Sequence, residues 1–389
     1  MKKFQSLFNF ILFAGFLTGS FLIMNFKYSD SGSSRYDPST DTLRFPGETH
    51  FRNIRQLTFG GNNAEAYWSF DNKQLIFQSD WAKINPQGCD QIFKMNADGS
   101  NLPNGKKYQL LSTGKGRTTC SYFLKDGRII YASTHAADKN CPKTIRFKKG
   151  HYVWPVYNTY DIYIADNDGS NLKLLIGGPG YDAEATVSPD GKYIVFTSTR
   201  SGDLELWRYE IATKKFLQLT NTLGYDGGAF FSRDSKKIIW RASRPTGKKA
   251  TVYKKLLSEG LIEPTQLNVF VSDINGKNVV QVTHLPGANW APFMHPDGKK
   301  LLFCSNYHSL KDGGRLFDIF MINMDGTGLE QLTHSGTFDA FPMFSYDGKK
   351  IVFASNRKAN GRPTHETDIF VADWIEHPSD VDLNFKKVK

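Results

Sequence analysis

Six polar residues recur at equivalent positions in this chain, each eight residues before an aspartate in a tight turn. They are Asn63, Thr118, Asp182, Asp226, Asn289 and Asp339. Carboxylates that share a site repel one another, which raises a pKa or recruits a counter-ion. Glu65 and Glu184 lie two residues further on, on the same side of an extended strand. The pattern predicts a polar ring that binds a cation, a basic side chain or a sugar.

A second set of residues is predicted to surround this ring. Its members are His135, Arg200, Arg244, Asn306, His308 and Arg357. No cofactor is required by this arrangement, although a divalent cation would fit the ring. The structural alternative stays open, because Asn, Asp and Thr before a strand often bond nearby backbone groups in turns.

Motifs of known enzyme classes are absent from the sequence. There is no Gly-x-Ser-x-Gly elbow, no His-Glu-x-x-His pair and no phosphate-binding loop. The histidines His135 and His308 would serve a metal-dependent lyase or hydrolase, which is the alternative function. We expect a binding protein rather than an enzyme.

The elements that must position these residues are six repeats. Each has a turn aspartate followed by a short apolar run that ends in an aromatic residue, such as Ile194-Val195-Phe196. A further aliphatic-aromatic pair and a Gln-Leu-Thr segment follow in most units. Four short strands repeated six times predict an all-β, six-bladed β-propeller with antiparallel blades. Residues 52–58 are predicted to supply the outer strand of the last blade, which has no Gln-Leu-Thr segment of its own.

The repeat wording is similar to a known family. Pro-Asp-Gly-Lys, Ile-Val-Phe-x-Ser and Asp-Ile-Phe, as in residues 186–200 and 338–372, resemble TolB-type propeller repeats, which are relatives of WD-type repeats. The resemblance covers residues 51–374 and implies an envelope-associated binding role. TolB proteins carry an α/β domain before the propeller, and the 50 residues that precede it here do not supply one.

The N-terminus has the composition of a targeting segment. Residues 1–26 begin with Lys2-Lys3 and continue as an apolar run, so they are predicted to be a cleaved signal peptide or an uncleaved anchor. Residues 27–50 are expected to be a flexible tether, and residues 375–389 a C-terminal tail. Export to the periplasm or cell envelope follows in either case, with membrane contact through residues 4–26 if they are retained.

Four cysteines fit an oxidising compartment in part. Cys304 follows a buried strand and is expected to be a core residue. Cys89, Cys120 and Cys141 map to one end of the first two blades, so one disulfide among them is predicted, with the pairing left open.

The net charge of +11 is concentrated in two insertions, residues 135–158 and 244–265. Residues 251–258 within the second insertion are expected to form a short helix that ends at Gly260. These insertions are either solvated loops without a binding role or a basic rim that binds an anionic partner. The expected partners are an envelope protein or peptide, or an anionic glycan. Nucleic acid is not expected, because the chain is predicted to be exported.

Overall fold

The structure is a computed structural model that describes residues 36–358 and 366–386, and the six turn aspartates shape six hairpins in it. In every hairpin the carboxylate accepts a hydrogen bond from the backbone N–H two residues later. The residue after the aspartate adopts a left-handed conformation, and four blades place glycine there while blades 1 and 4 use Asn72 and Ser235. The turn chemistry therefore fixes each hairpin locally.

Six four-stranded antiparallel sheets result, and they form the predicted propeller. The blades are built, from the inner to the outer strand, of Asn63–Trp68, Gln74–Ser79, Gln91–Asn96 and Gln109–Leu110; Thr118–Phe123, Ile129–Ser133, Asp161–Ala165 and Lys173–Ile176; Asp182–Val187, Tyr193–Ser198, Glu205–Glu210 and Lys215–Gln218. The second half of the ring contains Asp226–Phe231, Lys237–Ala242, Asn268–Asp273 and Val280–Gln281; Asn289–Met294, Lys300–Ser305, Asp318–Asn323 and Glu330–Gln331; Asp339–Phe344, Lys350–Ser355, Asp368–Trp374 and Phe51–Gln56.

The Gln-x-Thr segments join each outer strand to the third strand. In blade 3 the Gln218 amide donates to the carbonyl of Thr220, while the Thr220 hydroxyl accepts the backbone N–H of Leu206. The same two bonds recur in blades 4, 5 and 6. The motif thus joins two strands of a blade by hydrogen bonds. This structural role accounts for its repetition, and no ligand needs to be invoked.

Ring closure occurs as predicted. The strand Phe51–Gln56 pairs antiparallel with Asp368–Trp374, so the N-terminal part of the propeller completes blade 6. Phe51 is fully buried and its ring stacks on Phe353. The rings of Phe196, Phe303 and Phe353 are all inaccessible to solvent, as the strand assignment requires.

The described parts of the segments that flank the propeller, residues 36–50 and 375–386, are packed against it, which corrects the expected tether and tail there. Asp41, Arg44 and Glu48 are buried, although residues 27–50 were expected to be flexible. After blade 6, the short helix Asp380–Leu383 places the Asp382 carboxylate against the guanidinium groups of Arg44 and Arg52. These buried ion pairs form only in the folded arrangement, so they join residues 44 and 382 to the propeller. The predicted targeting segment, residues 1–26, and residues 27–35 of the predicted tether lie outside the described residues.

Among residues 36–358 and 366–386, no helix combines the length and the apolar character needed to cross a bilayer.

Candidate functional site

A ring of six equivalent residues surrounds the propeller axis, two residues into the inner strand of each blade. Its members are Glu65, Cys120, Glu184, Gly228, Ala291 and Phe341. Each adopts a left-handed conformation, with φ between 48° and 58°, and each inner strand shifts register there. Five of the six are not glycine, and such residues cost about 1–2 kcal/mol each in this conformation. We call this set the bulge ring.

The bulge ring lines a cavity of about 20 Å³ together with Tyr67, Phe230 and Arg241. That volume accommodates roughly one water molecule. Aromatic side chains fill the axis beyond the cavity, because the ring of Tyr67 lies 5.6 Å from that of Phe230 in the opposite blade. Tyr122 and Phe293 extend this aromatic layer. The layer separates the cavity from a second, more apolar one at the other end of the axis, which is lined by residues such as Tyr346 and Pro296.

Glu184 is the best-coordinated carboxylate of the bulge ring. One oxygen accepts hydrogen bonds from Tyr181, Tyr225 and Arg241, at 3.3, 2.5 and 3.1 Å. The other accepts the hydroxyl of Thr197 at 2.8 Å and the backbone N–H of Gly228 at 2.6 Å. Every lone pair is thus directed at a protein donor, and the buried Arg241 balances the charge. Glu184 therefore joins blades 3 and 4 and leaves nothing for a ligand.

Glu65 differs from Glu184, because its buried Oε2 atom has no hydrogen-bond partner. Burial raises the pKa of the Glu65 carboxyl to about 7, although a hydrogen bond with the Cys120 thiol and the charge of Arg241 oppose the shift. Burial likewise raises the pKa of the Cys120 thiol, and the Glu65 and Glu184 carboxylates add to this shift. The cavity thus holds one carboxyl group that can change charge near neutral pH beside a neutral thiol.

The uncharged members of the predicted polar ring bond the protein itself. The Asn63 amide donates to the carbonyls of Gly60 and Thr367, and its oxygen accepts from Ser79. Asn289 is bonded in the same manner, and the Thr118 hydroxyl donates to a backbone carbonyl. All three side chains are buried. This geometry is that of the structural alternative for these residues.

The three aspartates of the ring are buried in ion pairs with three of the arginines predicted to surround them. The pairs Asp182–Arg200, Asp226–Arg244 and Asp339–Arg357 each join residues 18 positions apart, at 2.7 to 3.0 Å. Arg357 also binds the buried carboxylate of Glu48. Burial raises the pKa of Asp226 to about 6, against the effect of Arg244. These six residues hold the inner strands to the loops that follow the second strands, and removing an aspartate would leave an unpaired charge.

The two candidate histidines stand in separate blades with separate partners. The His135 Nδ1 lies 2.9 Å from the Ser133 hydroxyl, and its ring packs on Tyr163. The His308 Nε2 lies 2.9 Å from the Asp318 carboxylate. Within residues 36–358 and 366–386, neither belongs to a group of three metal-binding side chains. The structure therefore does not bring them together.

The two basic insertions, residues 135–158 and 244–265, join into one folded unit, which we call the lid. The strand Trp154–Pro155 from blade 2 pairs with Leu261–Ile262 from blade 4 and so crosses blade 3. A small core of Val153, Leu256 and Leu261 lies beneath it. The predicted helix of the second insertion is present and extends over Gly247–Ser258. The lid is thus a packed structure rather than a pair of solvated loops.

The lid lies at the end of the propeller where the bulge-ring cavity is found. Trp154 contacts Arg241, which lines that cavity, and Trp290 at the start of an inner strand. A disulfide between Cys89 and Cys141 ties the lid to blade 1 and selects one of the three pairings left open. Cys120 and Cys304 are free thiols, and Cys304 is buried as predicted.

The outer surface of the lid is strongly basic. Its two segments carry ten basic and three acidic residues, a net charge of +7 out of +11 for the chain. Lys148 pairs with Glu259, whereas Lys254 and Lys255 on the helix are exposed. Phe147 is 68% exposed on a small hairpin, Phe147–Lys148 with His151–Tyr152. Basic and aromatic groups therefore face outward together.

Sequence reasoning identified Glu65 and Glu184 but missed most of the cavity. Arg241, which lines the cavity, was not predicted, nor were Tyr225 and Trp154, which contact Arg241, and Cys120 was predicted only for a disulfide. The alternation of strand residues breaks at each bulge, so counting by twos could not show that these six positions line the axis. One signal was available, because every blade with an aspartate in the polar ring has an arginine 18 residues later.

The comparisons with known proteins agree with this architecture. Residues 261–365 match the profile of the TolB β-propeller domain. The chain carries a TolB-like six-bladed β-propeller. It is 27% identical over 188 residues to the Tol-Pal system protein TolB of Francisella tularensis, covering 41% of this chain and 43% of that protein. The matched part of the chain thus spans less than half the length of these curated relatives.

Two further similarities extend over more of the TolB-like chain. An uncharacterised protein of Agrobacterium fabrum is 28% identical over 256 residues, which cover 61% of this chain and 82% of that protein. The structure of a gluconolactonase from Xanthomonas campestris superposes with a TM-score of 0.51 and 13% identity, over 84% of this chain and 91% of that one. The second similarity shows the fold alone.

Proposed function

We propose that this chain is a non-enzymatic, exported propeller that binds a cell-envelope protein or peptide at the lid end. The TolB-like propeller supports a binding role at a general level. The observation that carries the choice of face is the lid itself. Insertions that depart from a repeat usually map to its binding face, and here two of them fold together over the axis.

The lid has the properties of a docking surface. Its net charge of +7 would attract an acidic partner over distances of about one Debye length, roughly 8 Å at physiological ionic strength. Exposed aromatic groups such as Phe147 and Tyr152 provide contact area that a solvated loop would not need. The polar ring beneath is occupied by its own ion pairs, so we assign recognition to the outer surface of the lid and not to the ring. No cofactor is needed for such binding.

Export is part of the proposal. The Cys89–Cys141 disulfide suits an oxidising compartment such as the periplasm. The apolar N-terminal segment of the sequence and the Tol-Pal relatives support the same location. Retention of residues 4–26 as a membrane anchor is the finer alternative to cleavage.

The test is site-directed photo-crosslinking of the full-length chain in the cells that produce it. A photoreactive residue replaces Lys254 on the lid or, as a control, Lys192 in a turn at the opposite end. We expect a discrete protein adduct from the lid position only. An adduct from Lys192 alone would show that the wrong face has been chosen, and a carbohydrate adduct from Lys254 would favour an anionic glycan as the ligand.

Charge reversal provides a matched comparison. Both variants carry the photoreactive residue at position 254. In one variant the three remaining exposed helix lysines are changed to glutamate, namely Lys248, Lys249 and Lys255. In the other, three exposed turn lysines of the opposite end are reversed, namely Lys125, Lys236 and Lys349. Both variants change the net charge equally, so only the lid variant should lose the crosslinked partner. Equal loss from both would mean that net charge and not the lid drives binding.

A further inference from the structure

Two turns of the propeller depart from the repeat at the position two residues before the turn aspartate, with Leu124 in blade 2 and His295 in blade 5. In four blades a serine two residues before the turn aspartate donates to its carboxylate at 2.6 Å; these serines are Ser69, Ser188, Ser232 and Ser345. Blade 5 has His295 at this position, before Asp297. The Nδ1 atom of His295 takes part in its turn, because it accepts the backbone N–H of Asp297 at 3.2 Å, but the second ring nitrogen has no counterpart in a serine.

His295 is only 2% exposed and has a carboxylate on each side. Its Nδ1 lies 3.1 Å from Oδ1 of Asp297, and its Nε2 lies 3.0 Å from Oε2 of Glu376. The Nε2 atom is nevertheless without a hydrogen-bond partner, because its geometry towards Glu376 is not that of a hydrogen bond. A buried ring nitrogen therefore lies 3.0 Å from a carboxylate oxygen without forming a hydrogen bond to it.

We propose that His295, Asp297 and Glu376 bind one divalent transition-metal ion of the Zn²⁺ class. Each residue offers one ligand atom, and these atoms lie within 4.8 Å of one another. Ligand atoms about 2.0–2.2 Å from a shared metal ion are separated by roughly 3 Å, which is close to the Nε2 to Oε2 distance. One imidazole with two carboxylates suits Zn²⁺ and its neighbours better than Ca²⁺ or Mg²⁺, which prefer oxygen ligands alone.

The groups around the three residues would support this role. The indole Nε1 of Trp374 donates to Oε2 of Glu376 at 2.9 Å. The backbone N–H groups of Lys299 and Lys300 donate to Oδ1 of Asp297. Such outer bonds orient carboxylate ligands and leave lone pairs for the ion. The imidazole ring is fixed by its contacts with Phe344 and Trp374.

The position of the site gives it a consequence for the ring. His295 and Asp297 belong to the turn after the inner strand of blade 5, whereas Glu376 follows the third strand of blade 6, Asp368–Trp374. A metal ion there would tie the segment after blade 6 to blade 5, close to His50, which stacks on Trp374 in the seam. Metal binding would then stabilise the closed propeller, because the three ligands meet only in the folded chain.

The experiment titrates Zn²⁺ alone into full-length protein that has been treated with a chelator and dialysed. His295→Ser restores the residue that four other blades carry, so it should fold, and Glu376→Gln removes one ligand. His284→Ser is the control, because it removes an exposed histidine elsewhere on the surface. We expect one Zn²⁺ per chain in the wild type and the control, and affinity at least tenfold weaker in the two ligand variants, by calorimetry.

A second measurement separates this site from the free cysteines. Co²⁺ bound by nitrogen and oxygen shows ligand-field bands without the thiolate charge-transfer absorption that Cys120 would produce. The proposal is overturned if the wild type binds no stoichiometric metal or if His295→Ser binds as tightly. It is also overturned if His295→Ser alters the pH dependence of unfolding while added Zn²⁺ has no effect on any variant. In that case the three side chains are an imidazolium ion pair.

Discussion

Replacing Glu184 by glutamine should destabilise the propeller by about 3–5 kcal/mol, because the change leaves Arg241 as an unpaired buried charge. The side chain keeps its shape, but both carboxylate oxygens accept from donors, and one of them becomes an NH₂ group. If that group takes the Oε2 position, it faces the N–H of Gly228, at present 2.6 Å away, and the Thr197 hydroxyl. The hydrogen bond from Gly228 is then lost together with the charge, because two donors meet there, whereas the Thr197 hydroxyl can rotate to accept from the amide.

The assay is equilibrium unfolding in urea, with a double-mutant cycle that includes Arg241→Met. Each single variant strands one partner, whereas the double variant removes both charges. We therefore expect the double variant to be less destabilised than the sum of the singles, by about 1–3 kcal/mol. For a domain of this length, a loss of 4 kcal/mol corresponds to a Tm decrease of about 6 °C. Glu259→Gln on the lid surface is the control and should leave the transition unchanged.

Two results would refute this reasoning. Additive effects of the two substitutions would mean that Glu184 and Arg241 do not act as a pair. A loss below about 1 kcal/mol for Glu184→Gln would mean that the charge of Arg241 is solvated or balanced by another group. Either result would imply that the bulge ring is held by its backbone conformation alone.

Three further predictions concern the pH response, the disulfide and closure. The pKa of Glu65 is about 7 in the folded state and 4.5 in the unfolded state, so the folded state binds the extra proton. As the pH rises from 4.5 to 7, the free energy of unfolding should therefore fall, by at most about 3 kcal/mol. Glu65→Gln should flatten this pH profile, measured by urea unfolding. Converting Cys89 and Cys141 to serine removes a crosslink across 52 residues and should lower the free energy of unfolding by about 4 kcal/mol on the chain-entropy estimate. The unfolding transition of this variant should no longer change when reductant is added, and an unchanged stability would contradict the pairing. Phe51→Ala should cost about 3–5 kcal/mol whereas Phe59→Ala, at a 54% exposed ring, should cost under about 0.5 kcal/mol; equal effects would argue against the closing strand.

The fold could be predicted because the motifs of each repeat mark where its strands begin and end. The turn aspartate, the apolar run and the Gln-Leu-Thr segment each act within a few residues, as the bonds of Asp190 and Gln218 show. Closure by the N-terminal strand was predictable as well. Blade 6 has no Gln-Leu-Thr segment of its own, and the Gln-Leu-Thr segment at residues 56–58 precedes the first blade. These inferences depend on local sequence alone.

The site was less predictable because it depends on contacts between blades. Counting by twos assumes a regular strand, and the bulge at Glu65 and its equivalents breaks that regularity. The two insertions pair through Trp154 and Ile262, which lie more than 100 positions apart in the sequence. Neither segment has a sequence pattern that indicates this pairing. The burial of Arg44 and Glu48 could not be predicted either. A charged segment is expected to be solvated unless the residues that pair with its charges are known.

The closing strand has a consequence for the order of synthesis. The Gln56 side chain bonds Asp368, which the ribosome adds 312 residues later. At typical elongation rates of about 5–20 residues per second, the strand Phe51–Gln56 waits roughly 15–60 s for its partner. During that delay it is an unpaired edge, and such edges invite association with other chains. Its two arginines, Arg52 and Arg55, act against mispairing until the last blade emerges, and afterwards they bond the Asp382 carboxylate and the Asp98 carbonyl.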